Sequence, residues 1–334
     1  MYFVSDNAAA ACPEVIEAVL AANSGVEGTY DDDTLTRRLD GVFGDFFGHE
    51  CRVFAVGSGT AANCLGLAAM VPPWGAVVCH REAHIQVDEA GAPAFFSGGA
   101  ALLLAEGEAA KLTVDAVRAA VAGMRSDVHQ VQPSVLSMTQ ATEYGCVYMP
   151  EEVAALGDEA KQRGWRLHMD GARFANAVVH LGCAPADITW RAGVAMLSFG
   201  FIKNGGMSAE AIVVFDPALA ETLPHRKKRA GQMPSKGRYA AAQLLAMIET
   251  GAWERNARAA NTAAARIGAA ADGRLIHPVQ ANEVFVRASP EESAALRAQG
   301  FGFYDWAAGE IRLVTAWDTP EAHVQALAAA LAAL

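Results

Sequence analysis

The sequence has few positive charges, no long apolar run and no paired metal-binding motif, and each absence excludes a class of protein. Lys and Arg number 26 against 37 Asp and Glu, so the chain carries a formal net charge of −11. Such an acidic chain is not expected to bind nucleic acid or an anionic membrane surface. No apolar stretch approaches the roughly 20 residues that a membrane-spanning helix needs. No membrane segment is therefore predicted.

Cysteine is sparse and scattered, without a CxxC motif or the Cys/His spacing of a zinc site. The six cysteines are Cys12, Cys51, Cys64, Cys79, Cys146 and Cys183. We therefore predict neither a metal site nor a disulfide framework, and we expect small buried thiols in a reducing compartment. The N-terminal residues carry no basic run before an apolar one, which is not typical of a signal peptide and favours a cytoplasmic location.

The 334 residues are 52% hydrophobic, which is enough for two domains with a large core. Up to Pro224, short apolar strands alternate with helices. This pattern predicts an α/β fold with a mostly parallel sheet of about seven strands, flanked by helices, in which Ala211 to Phe215 is a candidate antiparallel strand. The later residues predict one long helix from Tyr239 toward Ile267 and a smaller C-terminal α/β domain. We place the large domain at residues 1–235 and the small domain at 236–334.

A single lysine lies in a glycine-punctuated loop directly after the short apolar strand Val194 to Phe199. The segment reads AMLSFGFIKNGG, and its only cation is Lys203. Burial disfavours the charged form of a lysine, and a neutral amine can attack a carbonyl to form a Schiff base. This segment alone is also compatible with a surface lysine on an ordinary loop.

The segment LHMDGAR ends another apolar strand with Asp170, a glycine turn and Arg173. Ligands of open α/β sheets bind beyond the carboxyl ends of the strands. A carboxylate placed there can keep a ring nitrogen protonated, which the pyridine of pyridoxal 5′-phosphate (PLP) needs in order to act as an electron sink. Asp-Gly alone usually marks a turn. The later lone lysine favours a PLP site.

Six segments together resemble the low-specificity L-threonine aldolases, PLP enzymes with the aspartate aminotransferase fold. These segments are SDNAA, SGTAAN, AHIQVDEAGAP, LHMDGARF, SFGFIKNGG and IRLVTAWDT, and the resemblance runs from Val4 to about Trp317. The resemblance is to the bacterial branch whose substrates include aromatic 3-hydroxy amino acids. It implies that Lys203 holds PLP and that L-threonine, L-allo-threonine or L-phenylserine is cleaved to glycine and an aldehyde, with the reverse aldol addition. It also implies a homodimer or homotetramer with active sites at the subunit interface.

The strand-to-helix turn at Ser58, Gly59 and Thr60 is a candidate phosphate site, because N–H groups at a helix start attract anions. By resemblance, this turn holds the PLP phosphate. An ordinary glycine turn is the simpler interpretation. The G-x-G-x-x-A pattern from residue 57 also fits a dinucleotide site, but residues 79–81 lack the acidic residue that such a site needs about 20 positions later.

His84 follows the next strand, and the resemblance places its ring on the cofactor face. A neutral imidazole there would stack on the pyridine and could transfer a proton, because histidine titrates near neutrality. From the residues alone, His84 is equally typical of a loop histidine that caps Asp88 or Glu89.

Two arginines are candidate binders of the substrate carboxylate, because a guanidinium grips a carboxylate with two hydrogen bonds. They are Arg173 and Arg312, and Arg312 lies in the middle of the predicted strand EIRLV. A cross-sheet salt bridge is the competing interpretation for Arg312. By resemblance, Ser5 contacts the same carboxylate.

A basic run, HRKKR, ends at Arg229 and is followed by Lys236. Most such runs are solvated, and we expect this of residues 226–228, whereas Arg229 or Lys236 could present a cation to the cofactor phosphate. Tyr30 matches a family tyrosine that reaches into the neighbouring subunit's site, although core packing is an equally good explanation.

One departure from the family concerns a loop histidine linked to substrate recognition, which is replaced here by the segment QATEY. Glu143 in this segment is a candidate substitute. Two other functions stay open. Another PLP reaction, transamination or β-elimination, needs nearly the same residues, and a nicotinamide-dependent oxidoreductase is the alternative of a different class.

Overall fold

The computed structural model describes residues 1–334 and contains a central seven-stranded sheet. Its strands are β1 (Arg52–Val56), β2 (Gly75–His80), β3 (Ala101–Ala105), β4 (Gln132–Thr139), β5 (Arg166–Gly171), β6 (Val194–Phe199) and β7 (Glu210–Val214). Their order across the sheet is β1-β7-β6-β5-β4-β2-β3. All neighbours from β3 to β6 are parallel, and β7 is antiparallel to both β6 and β1. The predicted α/β fold is confirmed, including the antiparallel strand.

Thirteen α-helices accompany the strands. They are α1 (Pro13–Ala22), α2 (Thr34–Phe47), α3 (Gly59–Met70), α4 (His84–Val87), α5 (Ala92–Ser97), α6 (Val114–Ala120), α7 (Pro150–Gln162), α8 (Phe174–Leu181), α9 (Leu223–Arg229), α10 (Arg238–Glu249), α11 (Ala252–Ala270), α12 (Pro290–Ala298) and α13 (Glu321–Ala332). None of them is long and apolar enough to cross a membrane.

Successive side chains along each strand point to opposite faces of the large sheet, so its apolar core has two parts. Val78 and Leu136 pack in a cluster with α1, α2, α7, α8 and α10. Their neighbours Val77 and Val135 pack in a second cluster with α3 and α9. Apolar residues on both faces explain why these strands are continuous hydrophobic runs, as is usual for a covered parallel sheet.

A second, three-stranded sheet lies in the C-terminal part of the chain. Its strands are β8 (Glu283–Arg287), β9 (Tyr304–Ala307) and β10 (Glu310–Val314), antiparallel in the order β8-β10-β9. This sheet has its own apolar cluster with residues of α11, α12 and α13. Phe3 from the N-terminal segment is buried in that cluster. The domain boundary at residue 235 stays a prediction.

The single long helix expected from Tyr239 toward Ile267 is wrong, because the chain turns between α10 and α11. Gly251 separates them with a φ of 71°, a left-handed conformation that ends a helix and that glycine adopts without strain. The expectation of buried thiols holds for five of the six cysteines, and Cys183 is partly exposed.

Candidate active site

A cavity of about 240 Å³ opens beyond the carboxyl ends of β5 and β6. Six residues that the sequence singled out line it: Ser58, Gly59, Thr60, His84, Asp170 and Lys203. Asn7, Asn63, Ser198 and Glu210 line it as well and were not predicted. A larger depression of about 760 Å³ near His49 is more open and contains no lysine. The smaller cavity is therefore the candidate active site.

Lys203 lies in a short helical turn, Ile202–Asn204, directly after β6. The turn is fixed by several hydrogen bonds. The Asn204 side chain donates to the Trp253 carbonyl at 2.7 Å, and the Asn256 side chain donates to the Asn204 carbonyl at 2.9 Å. Lys203 is partly buried and faces the cavity from this well-held segment.

A buried carboxyl, Glu210 at the start of β7, also holds the lysine turn. Its oxygens accept the backbone N–H groups of Phe201 at 2.5 Å and Ile202 at 3.3 Å. Burial raises the pKa of Glu210 to about 8, against the lowering effect of these hydrogen bonds and of Lys203. The available signal was a charged residue that opens the otherwise apolar strand EAIVV.

Asp170, near the end of β5, is almost fully buried and accepts two hydrogen bonds. One oxygen accepts from the Ala172 backbone at 3.0 Å, and the other accepts from the Asn63 side chain at 2.7 Å. The same Asn63 amide donates to Glu89 at 2.9 Å. The amide oxygen of Asn63 is buried without a partner. Asn63 therefore bridges two carboxylates beside the cavity.

The His84 ring is held by a carboxylate, because its Nδ1 lies 2.9 Å from Oε1 of the buried Glu89. This hydrogen bond raises the pKa of His84 above its ordinary value, against the effect of burial, and Asp170 adds to the increase. One ligand atom each of His84, Glu89 and Asp170 lies within 4.8 Å of the others. The amide of Asn63 already satisfies both carboxylates, and the prediction of no metal site stays a prediction.

Glu143 lies behind His84 and does not line the cavity. Its Oε1 accepts from the His84 backbone at 2.9 Å and from the Thr139 hydroxyl at 2.8 Å. Its Oε2 is buried without a partner, and burial raises the pKa of Glu143 to about 7. The suggested substitute for the family histidine therefore supports the His84 loop through hydrogen bonds.

The N-terminus of α3 points into the same cavity. Ser58 caps this helix, since its hydroxyl accepts from the Ala61 backbone at 3.2 Å. A Cβ placed on Gly59 would meet nothing within 4 Å, so the space beside the helix start is open. Backbone N–H groups at such a start form a site for an anion.

The two predicted carboxylate binders lie outside the cavity lining, in a buried charge cluster. Arg173 pairs with Asp6 at 2.8 and 3.0 Å and with Glu283 at 3.2 Å. Burial opposes the charge of Arg173, but these two carboxylates still raise its pKa. Burial likewise raises the pKa of Glu283, although both arginines favour its ionised form. The carboxylate-binding role of Arg173 would require it to share its guanidinium with Asp6.

Arg312 has the freer guanidinium of the two. It lies 4.8 Å from the ring centre of Trp306 and 5.3 Å from that of Tyr304. Its contact with Glu283 is long, at 3.8 Å, and its Nε is buried without a partner. Burial lowers the pKa of Arg312 from its ordinary value. The cross-sheet salt bridge that competed with the binding role is thus present but weak.

The remaining predicted residues also lie away from the cavity lining. The Ser5 hydroxyl accepts from the Asn7 backbone at 3.2 Å, while Arg229 is exposed at the end of α9. Tyr30 is 48% exposed, so the alternative of core packing is wrong within this chain. The expected solvation of residues 226–228 is wrong for Lys227, which is buried and pairs with Asp31 at 2.5 Å. A buried cation needs such a partner.

The residues around the cavity fit PLP. An amine, a buried carboxylate, an imidazole and a helix N-terminus with open space beside Gly59 surround one space. These groups match, in turn, the aldehyde, the ring nitrogen, the ring face and the phosphate of PLP. The position at which a dinucleotide site would carry an acidic residue holds His80 instead, and the ring of His80 lies 3.0 Å from the Gly107 carbonyl.

Comparisons with known proteins agree on one family. The family model for beta-eliminating lyases matches residues 2–290. A low-specificity L-threonine aldolase of Pseudomonas sp. (strain NCIMB 10558) is 43% identical over 99% of this chain and 97% of its own length. That of Pseudomonas aeruginosa is 44% identical over 98% of this chain and 95% of its own. A solved structure of Leishmania major threonine aldolase superposes with a TM-score of 0.91 at 25% identity, over 99% of this chain and 98% of that one.

Proposed function

The chain belongs to the beta-eliminating lyase family, and on that premise we propose that it is a PLP-dependent low-specificity L-threonine aldolase. It cleaves threonine and related L-3-hydroxy amino acids to glycine and an aldehyde, and it catalyses the reverse addition. One observation carries the proposal. Lys203, Asp170, His84 and the start of α3 surround a single cavity with the chemistry that PLP requires.

Four parts of the chain would hold the cofactor. Lys203 would hold its aldehyde carbon, and Asp170 would keep its ring nitrogen protonated. Ser58, Gly59 and Thr60 would bind its phosphate at the start of α3. When bound, PLP supplies an electron sink for a breaking bond next to the amino group of the substrate. The chain's own residues supply binding, orientation and proton transfer.

Orientation requires that the substrate carboxylate be fixed. We assign this role mainly to Arg312, because its buried Nε lacks a partner and its pairing with Glu283 is long. Arg173 contributes through the same charge cluster, and Ser5 lies two residues before Asn7 at the cavity. A fixed carboxylate would determine which bond of the substrate is aligned for cleavage, and alignment of this kind is itself a source of rate enhancement.

We assign proton transfer to His84, because its ring lines the cavity. As a neutral imidazole it accepts the proton of the substrate's β-hydroxyl while the bond between Cα and Cβ breaks. Glu143 supports this residue from behind by accepting its backbone N–H.

The branch of the family that the motifs resemble supports L-allo-threonine and L-phenylserine as further substrates. Exposed Tyr30, with Lys228 only 4.0 Å from its ring centre, supports a homodimer or homotetramer in which this loop completes a neighbouring site. Arg229 and Lys236 do not line the cavity of their own chain, so we assign either of them to the phosphate of a neighbouring subunit's site. The cytoplasmic location stays a prediction.

The test is product analysis after the purified protein is loaded with PLP and given L-threonine. The proposal requires acetaldehyde and glycine in equal amounts, with L-phenylserine giving benzaldehyde. A 2-oxo acid with ammonia would indicate elimination, and a 2-oxo acid that needs an amino acceptor would indicate transamination. For the oxidoreductase alternative, NAD would raise the melting temperature while PLP would not.

A further inference from the structure

The ring of His84 is tied to a carboxylate that has no access to solvent. Oε1 of Glu89 lies 2.9 Å from Nδ1 of His84, and the Glu89 side chain is 0% exposed. The other contacts of Glu89 are the Asn63 amide at 2.9 Å and the Cys64 thiol at 3.4 Å. The Asn63 amide and the Cys64 thiol are both donors. Glu89 is therefore placed to accept hydrogen bonds, and Nδ1 of His84 lies within hydrogen-bond distance of it.

We propose that Glu89 is a positioning residue, which keeps a proton on Nδ1 of His84 and so leaves Nε2 as the free acceptor at the cavity. This inference rests on the proposed function for its catalytic meaning, but the tautomer itself does not depend on PLP. A hydrogen bond at one ring nitrogen fixes which tautomer is present. Because Nδ1 is committed to Glu89, only Nε2 is left to take a proton from a substrate hydroxyl. The O–H bond breaks and an N–H bond forms at Nε2, while the electron pair left on the oxygen forms the C=O bond of the departing aldehyde. The pair of the breaking bond between Cα and Cβ would pass to the electron sink that PLP supplies.

The charges around His84 agree with this role. Glu89 and Asp170 both favour its protonated form, Lys203 opposes it, and Glu143 contacts its backbone. Glu89 makes the largest contribution, and the net result is a raised pKa. A carboxylate in this position makes the imidazole a better proton acceptor and stabilises the imidazolium that forms.

Asn63 connects Glu89 to Asp170, the residue that we assign to the ring nitrogen of the cofactor. Its amide nitrogen donates one hydrogen bond to Glu89 at 2.9 Å and another to Asp170 at 2.7 Å, so both amide protons are bound to carboxylates. Loss of the Glu89 carboxylate therefore changes His84 directly and reaches Asp170 only through Asn63. The tautomer and the titration midpoint of His84 report the direct effect.

The first experiment observes the tautomer by nitrogen-15 NMR of histidine in the protein without PLP, with His84→Gln to assign the signal. The wild type should show His84 protonated at Nδ1 and free at Nε2. Glu89→Gln retains an acceptor but removes the charge, so the tautomer should persist while the titration midpoint of His84 falls by at least half a pH unit. Glu89→Met removes the acceptor, and protonation should move toward Nε2. A wild-type His84 protonated at Nε2, or an unchanged midpoint in Glu89→Gln, would overturn the proposal.

The second experiment measures the pH dependence of kcat/KM in the PLP-loaded enzyme. Because the base must be deprotonated, the acidic limb should move to lower pH in Glu89→Gln, with kcat about 10-fold lower and KM nearly unchanged. The matched control is Glu82→Gln, just before α4, because the Glu82 carboxylate faces Arg81 at 3.8 Å and its loss should leave both parameters unchanged. If Glu89→Gln does not fold, the wild-type tautomer alone decides. Absence of aldehyde together with the expected tautomer would refute the proposed function and leave the role of Glu89 standing.

Discussion

Replacement of Glu210 by glutamine should make the stability of the PLP-free protein much less dependent on pH. Burial raises the pKa of Glu210 to about 8 from an ordinary value of 4.5, so between these pH values the folded protein keeps a proton that the unfolded chain has lost. The stabilisation from this proton is complete below pH 4.5 and is lost as pH rises to 8. Each pH unit changes the free energy of unfolding by about 1.4 kcal/mol, which gives a total of about 4–5 kcal/mol over this window.

Glutamine cannot titrate, so Glu210→Gln removes this pH-dependent contribution. At pH 5 the variant should be less stable than the wild type by about 1–3 kcal/mol, because one of the N–H groups of Phe201 and Ile202 loses its acceptor. At pH 8 to 9 the deficit should vanish or reverse. Urea unfolding from pH 5 to 9 measures this, with Glu17→Gln on the exposed side of α1 as the control. A stability difference that stays constant across this range would show that Glu210 does not hold a proton in the folded protein near neutral pH.

Three further substitutions test other parts of the site and fold. Arg312→Lys should raise KM for threonine at least 10-fold with a smaller change in kcat, because a point charge replaces a planar fork; steady-state kinetics measures this, and an unchanged KM would contradict the assignment. Asp170→Asn should still bind PLP, but its kcat should fall about 100-fold, because ring-nitrogen protonation is lost; absorbance titration and kinetics report the two effects. Lys227→Met should destabilise the protein by about 2–4 kcal/mol, since Asp31 loses its partner; denaturation with Lys228→Met as the exposed control checks this value.

The parts of the site that could be predicted from sequence are those in which a short segment sets its own geometry. A strand followed by a glycine-rich turn is local, so Lys203, Asp170 and the start of α3 could be assigned to one sheet edge. The resemblance to threonine aldolases, which rested on those segments, is confirmed. His84 was assigned to the cofactor face by the resemblance, since its loop alone was also typical of an ordinary capping histidine.

Several of the contacts that were missed join segments that are distant in sequence. Asn63 lies within an alanine-rich helix, and only folding brings it to Asp170, 107 positions later. The pair between Arg173 and Asp6 spans 167 positions and could not be deduced from either motif. Polar residues inside apolar elements, such as Asn63 in α3 and Glu210 in β7, were the available signal. The prediction of one long helix was wrong for a local reason, because a single glycine, Gly251, ends α10 within an otherwise uniform helical pattern.

The proposed function is tested most directly by identifying the lysine that binds the cofactor. Borohydride reduction of the PLP-loaded protein, followed by peptide mass spectrometry, fixes the cofactor on the lysine that holds it. We expect a pyridoxyl group on Lys203, with loss of the visible absorbance in Lys203→Ala. A label on any other lysine, or a visible cofactor band retained in Lys203→Ala, would show that the assignment of Lys203 is wrong.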